Sequence, residues 1–315
     1  MGRFVAREAP AVDALVADAV AKIGAEVESL HVPDLAGVVL GGGYGRGEGG
    51  VFAEGGAERL SNDLDFFAVT VPGASSGALR AVAAALAPIG KAWTIRLGVD
   101  VDFVVRTPWR IKHDEERVMI QELVRGHVNV AGRPGAELFK DVVRRPPEDL
   151  PWAEAVRLLV NRGVGLVLAR ASADEAFAER NVNKCVLGAG DAVLIARHAY
   201  AWRVKERAAA IDWPAYDAAM EWKFRPKKGA TCTWEEARTL WLGAEEEVRD
   251  AGRRSGADGR TLYQAARWIV RRRTLGDLRT LGQGPVVRIL AGLTGVVEAG
   301  ASLPDSLRKD WMVFN

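Results

Sequence analysis

The residue pattern of the chain changes character at the pair Pro146-Pro147, and this change limits the folds that it can adopt. Before the pair, short apolar runs predict three buried strands, at residues 36–40, 64–71 and 99–105. After the pair, apolar residues recur at helical spacing and strand signals are scarce. Consecutive prolines disfavour the continuation of either element. We therefore predict an α+β domain over residues 1–145 and an all-helical domain over residues 146–315.

Helical periodicity accounts for most of the remaining chain. In the first domain it predicts helices over residues 10–30, 76–88 and 114–125, with a short apolar segment at 128–131. In the second domain it predicts helices over residues 152–170, 174–206, 234–251, 260–274 and 284–299. The stretch from residue 49 to residue 62 contains two further glycine pairs and is expected to be irregular.

Composition and charge narrow the class of protein. An apolar fraction of 49% and a charged fraction of 27% are typical of a soluble globular protein. The 43 basic and 41 acidic residues leave a net charge of +2, a smaller basic excess than dedicated nucleic-acid binders carry. Nucleic acid is therefore an alternative partner that is not favoured.

Cysteine usage and hydropathy point to a cytoplasmic protein. The two cysteines, Cys185 and Cys232, form no C-x-x-C pair, so neither a disulfide framework nor a zinc site is expected. No apolar run approaches the roughly 20 residues that span a bilayer. The N-terminus lacks the apolar region of a secretion signal. We expect no membrane partner, and nothing in the sequence indicates an oligomeric state.

The first predicted strand runs directly into a glycine-rich segment, GGGYGRGEGG, at residues 41–50. A backbone without Cβ atoms can approach a ligand closely, and its N–H groups can bind phosphate oxygens. A helix beginning near Gly45 would add its N-terminal amides to the same anion site. Because such a run by itself is more often an ordinary loop, its meaning depends on its neighbours.

Two acidic, alternating strands follow the glycines. Asp63 and Asp65 are expected to project from one face of the second strand, since side chains alternate along a strand. Two carboxylates so close together are costly to keep ionised without a cation, and Mg²⁺ prefers carboxylate oxygens together with substrate phosphates. Asp100 and Asp102 repeat the pattern on the third strand and can supply a further ligand to a two-metal site. One acidic, alternating strand could simply expose that face to solvent, but two such strands are hard to explain in this way.

These features together resemble the polymerase-beta-type nucleotidyltransferase superfamily, over residues 35–106. The similarity is carried by residues 42–48, 62–66 and 101–104, and the Gly-Arg step in the first of these resembles small bacterial aminoglycoside nucleotidyltransferases. The resemblance implies a nucleotidyltransferase-type mixed sheet with flanking helices. It also implies Mg²⁺, with Mn²⁺ as the alternative metal, and a nucleoside triphosphate donor that is attacked at the α-phosphate with release of pyrophosphate.

The resemblance assigns roles to individual residues. It implies catalytic and metal-binding roles for Asp63, Asp65 and Asp102, with Asp100 as the alternative third carboxylate, and nucleotide-binding roles for Gly42, Gly43 and Arg46. Gly43 stands where serine is commoner. The interval from Gly43 to Asp63 is also longer than usual, and its extra stretch is expected to form a loop over the site. Because Asp100 and Asp102 face the same way, the choice between them stays open, and we favour Asp102.

The main competing motif is a dinucleotide-binding fingerprint. Gly45, Gly47 and Gly50 satisfy G-x-G-x-x-G, and Asp65 lies near the distance expected of the ribose-binding acid. That motif needs a helix between the glycines and the acidic strand, and residues 49–62 leave no room for one. A Walker A loop is excluded because no G-K-S/T follows the glycines.

The helical half offers weaker candidates. Lys184, Asp191 and His198 recur every seven residues, so they share one face of the helix predicted over 174–206, and Gly188 would let a ligand or another helix approach. Lys184 is predicted to pair with triphosphate oxygens. Asp191 could accept a proton from an acceptor hydroxyl or bind a cationic acceptor. A solvated or salt-bridged stripe explains the first two equally well, and it is the favoured explanation for His198.

For three further basic features, a structural role explains the residues at least as well as a functional role does. Arg162 lies in an apolar helix pattern and must find an anion there, either a structural carboxylate or the substrate. The basic and aromatic residues of segment 222–228 could contact nucleic acid, although a solvated loop is the favoured interpretation. The run at residues 271–273 is expected to end a helix.

The sequence thus predicts an enzyme that moves a nucleoside monophosphate from a triphosphate to an acceptor. The near-neutral charge and the two-domain size favour a small-molecule acceptor. Nucleotidylation of a protein or of an RNA end is the alternative within the same chemistry. An alternative of another class is a catalytically silent relative that acts as a binding or regulatory module. The four intact acids disfavour it.

Overall fold

The computed structural model describes residues 3–255 and 285–314. The chain divides into two compact units, the first formed by Met1–Arg145 with Lys223–Lys227 and the second by Pro146–Trp222 with Lys228–Asn315. Within the described residues, no helix has the length and apolar character needed to cross a bilayer. The first unit is α+β and the second is helical, as predicted for the fold class.

The first unit contains both strands and helices. They are α1 (Pro10–Ser29), β1 (Leu35–Leu40), α2 (Gly42–Gly45), β2 (Val51–Glu54), β3 (Ala57–Leu60), β4 (Leu64–Thr70), α3 (Ser76–Leu97), β5 (Val101–Arg106), α4 (Pro108–His113), α5 (Val118–Arg125), β6 (Val128–Gly132) and α6 (Gly135–Leu138).

Four of the strands form a mixed sheet in the order β5-β4-β1-β6. Strand β1 is antiparallel to both β4 and β6, whereas β4 and β5 are parallel. Because β4 and β5 run the same way, their N-terminal ends lie at the same edge of the sheet. Both predicted acidic pairs are found at these ends.

Each face of the sheet is covered by helices, with a hydrophobic core on each side. Alternate residues of each strand pack into one core or the other. On one face, Val38, Phe66 and Ala68 pack with apolar residues of α1 and α3. On the other face, Val39 and Phe67 pack with residues of α4, α5 and α6. Burial on both faces explains why the strands appear in the sequence as nearly continuous apolar runs.

Helix α3 is longer than predicted. The pattern predicted an end at residue 88, yet the helix continues through Pro88 to Leu97, although proline removes a helical hydrogen bond. Ile89, Gly90 and Trp93 are buried on the far side of the proline, so packing on the sheet offsets its cost. Gly98, with φ +69°, then ends the helix in the left-handed conformation.

The stretch expected to be irregular is a β-hairpin. Strands β2 and β3 pair from Val51↔Leu60 to Glu54↔Ala57. The two residues between them, Gly55 and Gly56, have φ of +59° and +83°, as a tight two-residue hairpin turn requires. The hairpin also occupies the interval where a dinucleotide-binding fold needs a helix, so that alternative is wrong.

The helix predicted over residues 114–125 begins only at Val118, as α5, and a separate helix that was not predicted, α4, precedes it. Thr107 caps α4 by accepting a hydrogen bond from the Arg110 N–H at 3.0 Å, which the pattern did not indicate. Between the helices, the Asp114 carboxylate lies 2.6 Å from Arg110 and 3.3 Å from Arg117. These ion pairs hold the turn that separates α4 from α5.

The second unit consists of helices in the part of it that the structure describes. They are α7 (Trp152–Arg170), α8 (Glu175–Ala196), α9 (Val204–Ile211), α10 (Pro214–Phe224, whose last two residues belong to the first unit), α11 (Trp234–Ser255), α12 (Pro285–Ala299) and α13 (Asp305–Phe314). The predicted helix over residues 260–274 and the basic run at 271–273 lie outside the described residues.

The prediction of a single helix over residues 174–206 is wrong, because the structure has two helices there, α8 and α9. Asp174 caps α8 by accepting a hydrogen bond from Phe177 N–H at 3.0 Å. The helix ends at Ala196, and His198 adopts a left-handed φ of +56°. Apolar periodicity runs through this break, so it does not reveal the turn.

The helices of the second unit pack closely where small residues allow it. Trp241 of α11 is fully buried, and its indole N–H donates to the Leu159 carbonyl of α7 at 2.9 Å. A Cβ atom on Gly163 would come within 2.7 Å of the Trp241 ring, so glycine is needed at that contact.

Candidate active site

Asp65 and Asp102 lie side by side on neighbouring parallel strands. They are direct register partners in the β4–β5 ladder, and such strands are about 4.8 Å apart. The next pair, Phe66 and Phe103, stacks with ring centroids 5.0 Å apart in the core formed with α1 and α3. Because side chains alternate, the two carboxylates belong to the opposite face, where Asp65 is half-buried and Asp102 is exposed.

Asp63 and Asp100 stand immediately before these two strands. The Leu64 N–H donates to the Asp100 carbonyl at 2.9 Å, which extends the strand pairing by one step. Both side chains are exposed. The structure thus brings the four acidic residues predicted from the sequence to the same end of β4 and β5.

The glycine turn packs directly against Asp65. The Gly41 N–H donates to the Asp65 carbonyl at 2.8 Å. Gly42 has φ +61°, and a Cβ atom there would overlap the Asp65 carboxylate, with Cγ only 3.1 Å away. A side chain at this position would push the carboxylate aside, so the site requires glycine.

The helix expected near Gly45 instead begins at Gly42 and ends at Gly45, a single turn. The backbone N–H groups of Gly42 and Gly43 donate to no group within the described residues, so they are available to a ligand. At Gly43, a Cβ atom would lie 3.3 Å from the Glu48 carbonyl oxygen, a tight contact. This crowding is a physical reason for glycine where serine is commoner.

Arg46 is held by two carboxylates. Its guanidinium lies 3.3 Å from Glu48 and 2.9 Å from Glu122, and all three side chains are mostly buried. The stem of Arg46 also fills the space beside Gly126, where a Cβ atom would approach its Cγ to 2.5 Å. These contacts tie the glycine turn to α5, and direct binding of a nucleotide by Arg46 stays a prediction.

Tyr44 is a buried residue of the turn that the sequence analysis did not single out. Its hydroxyl donates to the Gly50 carbonyl at 2.7 Å and accepts a hydrogen bond from the Ser61 N–H at 3.2 Å. Burial raises the pKa of Tyr44, and the nearby charge of Asp63 adds to this shift. An aromatic residue inside a run of glycines was the available signal, since only its ring can fill that space.

The basic segment Lys223–Lys227 packs in the first unit beside the acidic end of β4. A Cβ atom on Gly50 would overlap the Lys223 carbonyl and lie 2.6 Å from the Asn62 side-chain oxygen. Phe224 is only 1% exposed, and the Arg225 guanidinium donates to the Glu8 carbonyl at 3.3 Å. The favoured interpretation as a solvated loop holds for Arg225, Lys227 and Lys228, which are exposed beyond the end of α10, but not for the buried Phe224.

In the helical unit, the predicted stripe separates into different roles. The Asp191 carboxylate lies 3.1 Å from Arg207 and accepts a hydrogen bond from the Tyr216 hydroxyl at 2.6 Å, so it joins α8 to α9 and α10. His198 lies beyond the end of α8, with its Nδ1 2.8 Å from the Glu148 carbonyl. Lys184 is partly buried on α8, and its contact with a nucleotide stays a prediction.

Of the two expected neighbours of Gly188, a ligand or another helix, the structure shows the helix, because Arg162 of α7 fills the space there. A Cβ atom on Gly188 would overlap the Arg162 stem, with Cδ 3.2 Å away. Burial lowers the pKa of Arg162, and the charge of Asp191 opposes this shift. Asp191 is thus a carboxylate whose charge favours the charged form of Arg162, and Gly188 serves helix packing.

The acidic end of β4 and β5 fits a magnesium ion that arrives with a nucleotide. Among residues 3–255 and 285–314, no three His, Cys, Asp or Glu side chains are gathered closely enough to hold a metal by themselves. Mg²⁺ does not need such a set, because it is commonly bound by one or two carboxylates together with substrate phosphates. Asp65 and Asp102 are in register for this role, beside two available N–H groups.

Comparisons with known proteins add little to this geometry. No protein-family model matches the chain, and no curated protein does. Among solved structures, the chain is similar to the crystal structure of the spectinomycin adenyltransferase AAD(9) of Enterococcus faecialis, solved with ATP and spectinomycin. The identity is 14% and the TM-score is 0.42, over 72% of this chain and 98% of that chain. A similarity of this strength assigns no activity, so the functional conclusion rests on the residues themselves.

Proposed function

We propose that the protein is a Mg²⁺-dependent nucleotidyltransferase, which moves a nucleoside monophosphate from a nucleoside triphosphate to the hydroxyl or phosphate of a small molecule. One observation carries the proposal: the Asp65 and Asp102 carboxylates are register partners on parallel strands, and the Gly42 backbone lies directly against Asp65. In this proposal the turn binds the anion and the carboxylate pair binds the cation. A metal–nucleotide complex presents both charges to such a site.

Each group of residues has a task in this reaction. The N–H groups of Gly42 and Gly43 bind non-bridging phosphate oxygens. Asp65 and Asp102, with Asp63 beside them, would hold the metal together with the phosphates, and the metal would neutralise charge on the phosphates and on the leaving pyrophosphate. The acceptor oxygen forms a bond to the α-phosphorus, and the bond from that phosphorus to the bridging oxygen of pyrophosphate breaks. Binding and orientation by the chain supply most of the rate enhancement in this chemistry.

We favour Asp102 over Asp100 as the third carboxylate. Asp102 is the direct partner of Asp65 across the ladder, whereas Asp100 is one step outside the strand pairing. Carboxylates of register partners can share one cation because their Cα atoms are only about 5 Å apart. Asp100 is close enough to add to the negative field without binding the metal.

The remaining negative charge of the triphosphate requires positively charged side chains, and two parts of the chain can supply them. Segment Lys223–Lys227 packs against Gly50 and Asn62, next to Asp63, and carries two lysines and an arginine. Lys184 of the helical unit is the second source. Their positive charge would offset the repulsion between a polyphosphate and four neighbouring aspartates.

The acceptor is proposed to be a small molecule, because the net charge of +2 provides little attraction for a nucleic acid. In this scheme residues 1–145 form the catalytic domain and residues 146–315 a helical domain that contributes to acceptor binding, in a cytoplasmic enzyme. Nucleotidylation of a protein or of an RNA end remains the alternative, and a silent binding module is the alternative of another class.

The experiment is incubation of the protein with Mg²⁺, a panel of acceptors, and a triphosphate labelled at the α- or the γ-phosphate. The proposal predicts transfer of the α-label with release of pyrophosphate, and loss of transfer in Asp65→Asn. Transfer of the γ-label would make the protein a kinase and overturn the proposal. Binding of the metal–nucleotide without transfer to any small molecule, protein or RNA would favour the silent module.

A further inference from the structure

The hydroxyl of Tyr44 closes the open end of the β2–β3 hairpin. The last paired residues of the hairpin are Val51 and Leu60. At the next position the Ser61 N–H donates to the Tyr44 hydroxyl at 3.2 Å, and that hydroxyl donates to the Gly50 carbonyl at 2.7 Å. The hydroxyl therefore relays one hydrogen bond between the two strands where they diverge.

Tyr44 and Gly50 are buried parts of this relay, and Ser61 is partly buried. Tyr44 is 1% exposed, and Gly49 leaves room for its ring, since a Cβ atom at Gly49 would overlap it. The Gly50 N–H also donates to the Asn62 side-chain oxygen at 3.0 Å. Both strand ends are thus attached to the glycine turn, and the chain leaves this attachment directly into Asp63.

We propose that Tyr44 is a positioning residue, whose hydroxyl fixes the Ser61–Asp63 segment relative to the glycine turn and so sets the affinity of the site for the metal–nucleotide complex. This inference rests on the proposed function. Tyr44 itself touches neither metal nor phosphate in this scheme. It acts through Asp63, which is one of the proposed metal ligands, and through the spacing between that ligand and the phosphate-binding N–H groups.

The test compares Tyr44→Phe with Tyr216→Phe. Both substitutions keep a fully buried ring and remove one hydroxyl, since Tyr216 donates to Asp191 at 2.6 Å in the helical unit. Each should lower the melting temperature, because each leaves a buried group without its partner. Tyr216→Phe therefore controls for a general loss of stability, because Tyr216 belongs to the other compact unit.

Two measurements separate positioning from stability. The first is the Mg²⁺ concentration that half-saturates binding of a nucleoside triphosphate. In Tyr44→Phe it should rise about tenfold and saturating Mg²⁺ should restore binding, while in Tyr216→Phe it should stay at the wild-type value. The second is amide hydrogen exchange, which in Tyr44→Phe should become faster over residues 60–65.

An unchanged Mg²⁺ requirement in Tyr44→Phe overturns the proposal, whether or not exchange becomes faster. An equal rise in Tyr216→Phe also overturns it, because the effect would then follow from stability alone. A wild-type protein that binds no Mg²⁺–triphosphate overturns the proposed function, and the role of Tyr44 with it. A wild-type protein that binds normally and a variant that is not shifted overturn only the role of Tyr44.

Discussion

Replacement of Gly42 by alanine is the sharpest perturbation of the proposed site. Gly42 has φ +61°, and a Cβ atom there would overlap the Asp65 carboxylate, while lying 3.1 Å from its Cγ and 3.3 Å from its Cβ. The carboxylate is the end of a short side chain on a buried strand. It can relieve the overlap only by rotating away from the turn, which takes it out of the proposed metal site.

Two contributions set the size of the effect. The left-handed backbone costs a residue with a Cβ about 1–2 kcal/mol relative to glycine. A side chain forced about 30° from its rotamer costs about 0.5–1.5 kcal/mol. We expect Gly42→Ala to lower the free energy of unfolding by about 1.5–3.5 kcal/mol. The loss of Asp65 as a ligand should weaken metal–nucleotide binding at least about tenfold.

Gly98→Ala is the matched control. Gly98 also has a left-handed φ, +69°, but a Cβ atom there would meet nothing within 4 Å. It should lose about 1–2 kcal/mol of stability through the backbone alone and bind the metal–nucleotide as the wild type does. Calorimetric titration with Mg²⁺ and a triphosphate, together with denaturant unfolding, measures both quantities. Gly42→Ala that binds with wild-type affinity would refute the contact between turn and carboxylate as the basis of the site.

Four other substitutions have definite expected results. Asp102→Asn should raise the Kd for the Mg²⁺–triphosphate at least about tenfold and Asp100→Asn less than about threefold, and a reversed order in titration calorimetry would exchange their roles. Pro88→Ala should restore a hydrogen bond in the interior of α3 and raise the free energy of unfolding by about 2 kcal/mol, so a fall in denaturant unfolding would contradict it. Burial raises the pKa of Glu245, so this group contributes stability below its unfolded pKa and loses that contribution as the pH rises through its folded pKa. Glu245→Gln should therefore melt at a higher temperature than the wild type at pH 8, and the gain should shrink towards pH 4. A gain that is constant with pH would exclude this linkage.

The elements that were predicted well are those with strong apolar periodicity. The helix predicted over 152–170 has those bounds in the structure, and α1 and β1 differ by a residue or so from their predictions. Among the hairpin residues whose burial the structure describes, only Val51 and Leu60 are buried, so its strands carry no apolar alternation and the hairpin was missed. Its turn chemistry, a glycine pair between two short segments, was the overlooked signal.

The acidic positions of the candidate site could be predicted, but their pairing could not. Alternation along each strand indicates which side chains share a face, yet it does not set the register between strands. The ladder makes Asp65 the partner of Asp102, a non-local fact that depends on how β4 and β5 pack in the sheet. The return of segment Lys223–Lys227 to the first unit is non-local in the same way, because nothing in its composition names the residues against which it packs.

The most direct test of nucleotidyl transfer that does not require the acceptor is calorimetric titration of the protein with a nucleoside triphosphate, with and without Mg²⁺. The proposed site predicts binding that depends on Mg²⁺ in the wild type and is lost in the double variant Asp63→Asn with Asp65→Asn. Binding of equal affinity in the wild type and the double variant would contradict the assignment of these carboxylates. Failure of the wild type to bind any triphosphate in the presence of Mg²⁺ would contradict nucleotidyl transfer itself.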